Sequence, residues 1–161
     1  MTALAKYNLT SSDGTTAAFA LGTEINVKGA TYQYFKAAGS IAAYSLCTVQ
    51  NDFDAEEGTT TTSGAKPTGC CVPQFAVADL EYFWAPVGPF GPYREDGSTT
   101  FKVNAALNCA GSVKLYTTGT DGVVDDSATD LIAGLLLTET ITTAEAADCI
   151  AVQRLVTNCQ D

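Results

Sequence analysis

From Gly22 onward the chain runs in short alternating segments separated by turn residues, and that rhythm restricts it to β-structure. Glu24-Ile25-Asn26-Val27 alternates, Lys28-Gly29-Ala30 carries a turn, and Thr31-Tyr32-Gln33-Tyr34-Phe35-Lys36 alternates again. A period of two belongs to a strand and not to a helix. Thr, Tyr, Val and Ile around a glycine turn predict a β-hairpin. A strand follows around Ser45 to Gln50. Asn51 to Thr68 combines acids with Thr59-Thr60-Thr61-Thr62-Ser63-Gly64 and is expected to be a mobile loop or hairpin tip.

Further on, Gly69-Cys70-Cys71-Val72-Pro73-Gln74-Phe75-Ala76-Val77 is apolar, and Pro73 confines that strand to an edge or a bulge. Tyr82-Phe83-Trp84-Ala85-Pro86-Val87 predicts a bulky core strand. Phe101 to Ala105, Val113 to Tyr116 and Gly122-Val123-Val124 predict three more. Leu131 to Leu137 suits a buried helical turn or a fully buried strand; Gly134 and the β-branched residues after it favour the strand. Ala144 to Asp148 is expected as a turn or a single helical turn, and Cys149 to Val156 as the closing strand. The expected fold is all-β: one β-barrel or β-sandwich domain over 21–161, preceded by an extended arm over 1–20. Ser45 to Val87 and Val113 to Val156 share an order of segments, with Gly69 answering Gly134 and Ala78-Asp79 answering Ala146-Ala147-Asp148. That order predicts two similar β-units in one barrel or sandwich.

Composition narrows the function. A chain of 161 residues with 46% hydrophobic and 16% charged residues can bury a core, unlike a disordered polyelectrolyte. No apolar run approaches the roughly 20 residues that span a bilayer, and no basic start followed by an apolar stretch marks a secretory signal. No membrane partner and no export are therefore expected. The net charge is −10, and the eight basic residues are scattered singly. Nucleic-acid binding needs clustered Lys and Arg that release counterions from phosphate, so no nucleic-acid partner is expected. The six cysteines occur without His and without a CxxC spacing, which leaves no ordinary zinc set. They are expected mostly as small buried hydrophobes. Cys70 and Cys71 should point to opposite faces of their strand, and Cys159 should be the exposed one.

Residues for catalysis are sparse. Without His, the commonest general base and every His-dependent triad are missing. The carboxylate pairs Glu56-Glu57, Glu95-Asp96 and Asp125-Asp126 stand beside turn residues and are expected as solvated charges, not as a glycosidase pair. No phosphate-binding glycine loop or EF-hand pattern occurs. The expectation is no catalytic residue, no cofactor and no metal. The segment most suited to function is Tyr82 to Tyr93. Its first half has the pattern of a core strand. Its second half, Pro89-Phe90-Gly91-Pro92-Tyr93, is too rich in Pro and Gly for regular structure and places two aromatics on a stiff loop, a composition suited to protein contact.

The order of these segments resembles the capsid decoration, or cement, proteins of tailed phages, of the small β-barrel type. The resemblance runs over about residues 20–156. It lies in the Leu21 to Phe35 hairpin, Ala38-Gly39-Ser40-Ile41-Ala42-Ala43-Tyr44-Ser45-Leu46, Gly69 to Val77 with its link to Tyr82–Trp84, Val113 to Gly119, Gly122-Val123-Val124, Ile132-Ala133-Gly134 and Cys149 to Val152. The resemblance implies a homotrimer on the outer surface of the virion head, assembled in the host cytoplasm, that bridges major capsid protein subunits. Phe90, Tyr93, Pro89 and Pro92 would then form contacts, and the arm, with Tyr7 and Leu9, would order on a neighbouring subunit. A carbohydrate-binding β-sandwich module and a tail or fibre subunit are the alternative readings.

Overall fold

The computed structural model describes residues 7–64, 69–112, 114–128 and 130–158. The fold is all-β, with eleven strands and one short helix among these residues. The hairpin of β1 (Glu24–Val27) and β2 (Ala30–Ala37) forms where the alternation requires it. Its two-residue turn, Lys28-Gly29, has φ of 49° and 86°. Both values are positive, as in the turn whose twist matches that of the flanking strands. Asn26 secures the turn by accepting the Gly29 N–H at 3.1 Å.

The first sheet continues with β3 (Cys47–Val49), β4 (Asp54–Glu57), β5 (Gly69–Cys71) and β6 (Tyr82–Pro86). One edge of β2 carries β6. The other is shared by β1 and β4, with β3 and β5 beyond. Val72, just past β5, donates its N–H to Pro86 at 3.1 Å and curls the sheet into a half-barrel. The second sheet contains β7 (Lys102–Ala105), β8 (Leu115–Thr117), β9 (Val124–Asp125), β10 (Asp130–Leu137) and β11 (Glu145–Asn158). It closes fully in the order β10-β11-β7-β9-β8.

The two sheets have the same wiring. β2 runs parallel to β4 as β7 does to β9, and β3 pairs with β4 and β5 as β8 does with β9 and β10. β2 pairs with β6 as β7 does with β11. The registers match residue by residue. Val49 and Ala37 both meet Ala55, and Thr117 and Ala105 both meet Val124. Tyr34 faces Trp84 where Lys102 faces Asp148. Beyond the strands, Val77 N–H bonds the Ile41 carbonyl at 2.9 Å, and Ile141 N–H bonds that of Cys109 at 3.1 Å. The side chains agree: Phe35, Phe83 and Ala85 are buried in the first unit, and their counterparts Val103, Ala147 and Cys149 in the second. The sequence repeat is therefore real as topology, with the second unit a closed barrel and the first a half-barrel. Its register pairs Gly69 with Asp130, not Gly134, and Ala78-Asp79 with Thr142-Thr143.

Three segments depart from the sequence reading. Within Asn51 to Thr68, expected as a mobile tip, Asp54–Glu57 is strand β4 and Thr60–Gly64 is helix α1; residues 65–68 lie outside the described residues. Ala55 is fully buried between β2 and β3, so one small apolar residue among four acids was enough to anchor that strand. Glu145 to Asp148, expected as a turn, is the start of β11 and pairs with all of β7. The arm, expected on a neighbouring subunit, lies on its own chain over residues 7–20. Asp13 donates its N–H to the Tyr82 carbonyl at 2.8 Å, Tyr82 donates its N–H to the Gly14 carbonyl at 2.9 Å, and Tyr34 donates its hydroxyl to Asp13 at 2.8 Å. Leu131 to Leu137 is strand, and β5 stops at Cys71 on the sheet edge, before Pro73.

The arm covers the outer face of β2 and β6. Phe19 packs edge-on against Tyr34 and Trp84, at centroid distances of 5.4 and 5.2 Å, and Tyr7 packs against Trp84 at 5.2 Å. Such tilted ring pairs stabilise by more than their buried area alone. Burial, with Asp13 beside it, pushes the Tyr34 phenol up to about 12. At the equivalent place on the second barrel, Lys102 and Asp148 form a half-exposed ion pair at 2.7 Å. There Lys102 holds the Asp148 carboxyl below its ordinary range. One topology thus carries an aromatic outer face that needs a cover and a charged one that does not.

Candidate interaction surface

Residues 88–100 leave β6 as a braced finger. Phe90 and Ala151 exchange backbone bonds at 2.9 and 3.0 Å, which fastens the base of the finger to β11. Tyr93 bridges Thr100, Arg94 N–H bonds Thr99 at 2.7 Å, and Asp96 accepts the N–H groups of Ser98 and Thr99 at 2.8 and 3.1 Å. Those two N–H groups hold the Asp96 carboxyl down to about 2. Tyr32 ties the finger to the first barrel by donating its hydroxyl to Glu95 at 3.1 Å, and burial beside that carboxylate pushes the Tyr32 phenol well up.

The finger divides the residues expected at a contact. Phe90 faces inward: it is 2% exposed and packs against Phe101 at a centroid distance of 4.4 Å with the rings tilted. Its ring is committed to the chain's own core, so it offers no area to a partner. Pro89, Pro92 and Tyr93 are exposed, Tyr93 at 62%. Tyr7 is at the rim of the arm, 38% exposed, and Leu9 is half-buried against the core. The finger therefore brings Pro89, Pro92 and Tyr93 together, while Tyr7 and Leu9 belong to the arm on β6.

The surface extends to residues that the sequence did not single out. Leu136 lies opposite Ile150 on the β10–β11 pair. The Phe90–Ala151 bridge sets Pro89 beside Val152, which is 62% exposed. These residues alternate with buried Leu135, Leu137, Cys149 and Ala151, so they point out of the barrel. Leu131 to Leu137 read as a run buried on both faces and concealed this outward half. The one available signal was the alternation of Ile150 and Val152 with Cys149 and Ala151.

One carboxylate of each acidic pair accepts hydrogen bonds from backbone or side-chain donors. Glu57 accepts the Ala42 N–H at 2.7 Å and the Ser45 hydroxyl at 2.8 Å. Asp126 accepts the Ala110 N–H at 2.9 Å, and Glu95 accepts from Tyr32. Among the described residues, no group of three or more Cys, Asp or Glu is placed to hold a metal ion. Arg154 reaches from β11 to Glu24 and, at 3.0 Å, to Gln33 of the first barrel. This contact closes one side of a cavity of about 160 Å³ that Phe53 and Cys70 also line.

Cys47, Cys70, Cys71, Cys109 and Cys149 are buried; Cys159 lies outside the described residues. Cys70 and Cys71 point into different cores, as adjacent strand residues should. Burial pushes Cys109 up to about 11 and raises Cys47 and Cys149 well above the ordinary thiol range. A thiol that is both buried and protonated is a poor nucleophile. Iodoacetamide at neutral pH should therefore leave all five unlabelled in the native chain and modify all five after denaturation, read by peptide mass spectrometry. Rapid native labelling of any of them would contradict this packing. No family model matches the chain, and no curated protein sequence matches it.

Proposed function

We propose that the chain is a structural protein without catalytic activity that decorates the outer surface of a tailed-phage head. In this reading it bridges major capsid protein subunits as a homotrimer and stabilises the shell. The observation that carries the reading is the finger: a hairpin braced from both barrels that holds Pro92 and Tyr93 in solvent. A pre-formed aromatic contact loses little conformational freedom on binding. The charge of −10 favours the outside of a DNA-filled shell over the inside. The resemblance in segment order supplies the identity of the partner. The carboxylates bound to backbone N–H groups and the lack of His favour a structural role over a catalytic one. Trp84 is fully buried under the arm and leaves no indole face for a sugar, which weighs against the carbohydrate-binding alternative.

Co-sedimentation of the purified chain with undecorated heads tests this proposal. The chain should pellet with heads, and Tyr93→Ser combined with Pro92→Ser should weaken binding by about 10-fold or more, as loss of an aromatic contact does. Circular dichroism should be unchanged. No binding by the native chain, or equal binding by the double variant, would count against the finger as the contact.

A further inference from the structure

The outward row made by Leu136, Ile150, Val152 and Pro89 has a counterpart inside the molecule. Counting from the matched pairs Tyr34–Trp84 and Lys102–Asp148, Ile150 corresponds to Pro86 and Val152 to Gly88. In the first barrel both counterparts are buried. The second barrel covers Gly88. A Cβ on Gly88 would overlap the Gln153 carbonyl oxygen and lie 3.0 Å from the Ala151 Cβ, and Leu155 donates its N–H to Val87 at 2.8 Å. In the second barrel the same stretch is open. Leu136 and Ile150 are half-buried and Val152 is 62% exposed. Gly91, beside Ile150 in the finger, has free space where a Cβ would stand.

We infer that the outer face of β10 and β11, centred on Ile150 and Val152, is where a second copy of this chain docks. The chain itself already supplies, between its two halves, a barrel that fits this face of this topology, and a second copy offers the same kind of barrel. The open row also continues directly from the interface between the two barrels, since Val152 follows Ala151 in the strand that covers Gly88. An apolar row on a protein charged at −10 associates against electrostatic repulsion. Salt screens that repulsion and leaves apolar burial in place, so association between copies strengthens with ionic strength. Docking on a basic partner would weaken instead. The inference rests on the proposed assembly into a homotrimer, for which it names the contact face, and does not require head binding.

Sedimentation velocity on the full chain, from low to high micromolar concentration and at two ionic strengths, tests it. The native chain should form species heavier than the 16.7 kDa monomer, more so at high salt. Val152→Glu and Ile150→Glu should each raise the dissociation constant by about 30-fold or more. Leu107→Glu, at a comparably exposed leucine elsewhere, should leave it unchanged. Val152 is already in solvent, so its variant keeps the fold, checked by Trp84 fluorescence. A native chain that stays monomeric under all conditions would overturn the inference, and so would undiminished association in both variants. A monomer that still pellets with heads would overturn the copy contact and the homotrimer and leave head binding standing.

Discussion

Trp84→Ala is expected to lower the unfolding free energy by about 3–5 kcal/mol, the usual cost of emptying a large buried aromatic site. Trp84 is fully buried, and its ring meets Tyr7, Phe19 and Tyr34 at centroid distances of 5.0–5.2 Å. Neither the short arm nor β2 can collapse into the void without losing the Asp13–Tyr82 backbone pairing. Asp148→Ala, at the matching position of the second barrel, should cost only about 0–1 kcal/mol, because it removes a half-exposed ion pair. Urea denaturation of both variants measures the contrast. Equal losses would contradict the assignment of the arm as the cover of an aromatic face. Trp84 is the only tryptophan in the chain, so its emission also reports on the arm. Removal of residues 1–20 should shift that emission to longer wavelength, whereas an arm held elsewhere would leave it unmoved.

Gly88→Ala carries the second large effect, about 2–5 kcal/mol. Gly88 has φ of +82°, where a side chain costs about 1–2 kcal/mol. A Cβ there would also press on the Gln153 backbone, which cannot rotate away as a side-chain tip would. Such overpacking costs about 1–3 kcal/mol more. Gly97→Ala at the finger tip, with φ of +74° and open space around it, should cost only about 1–2 kcal/mol. Thermal or urea unfolding of the pair separates backbone strain from steric conflict. A Gly88 variant no less stable than the Gly97 variant would mean that the two barrels do not meet as closely as described.

The all-β fold was legible because alternation is local. The Glu24 to Lys36 hairpin and the Tyr82 core strand needed no information beyond neighbouring residues. Which of the two units closes was not legible, because closure depends on long-range register, such as β7 beside β9 and β10 beside β11. Asp54–Glu57 was concealed for a related reason: a strand between β2 and β3 needs only Ala55 to face inward, and its acids then suggested a loop. At the candidate surface, Tyr93, Pro89 and Pro92 were visible as stiff exposed residues. Phe90 was misplaced because the alternation that turns it toward Phe101 is set by Ala151, some sixty positions away in sequence. Leu136, Ile150 and Val152 were missed because a run of leucines does not reveal which members face out.

Decoration of the outer surface of a head is the central claim, and electron microscopy of virions with and without this protein tests it most directly. Density outside the shell, in clusters of copies, should be present only when the chain is present and should fit a small barrel joined to a half-barrel, with the finger directed at the capsid. Unchanged head density, or extra density on the tail or fibres, would contradict it.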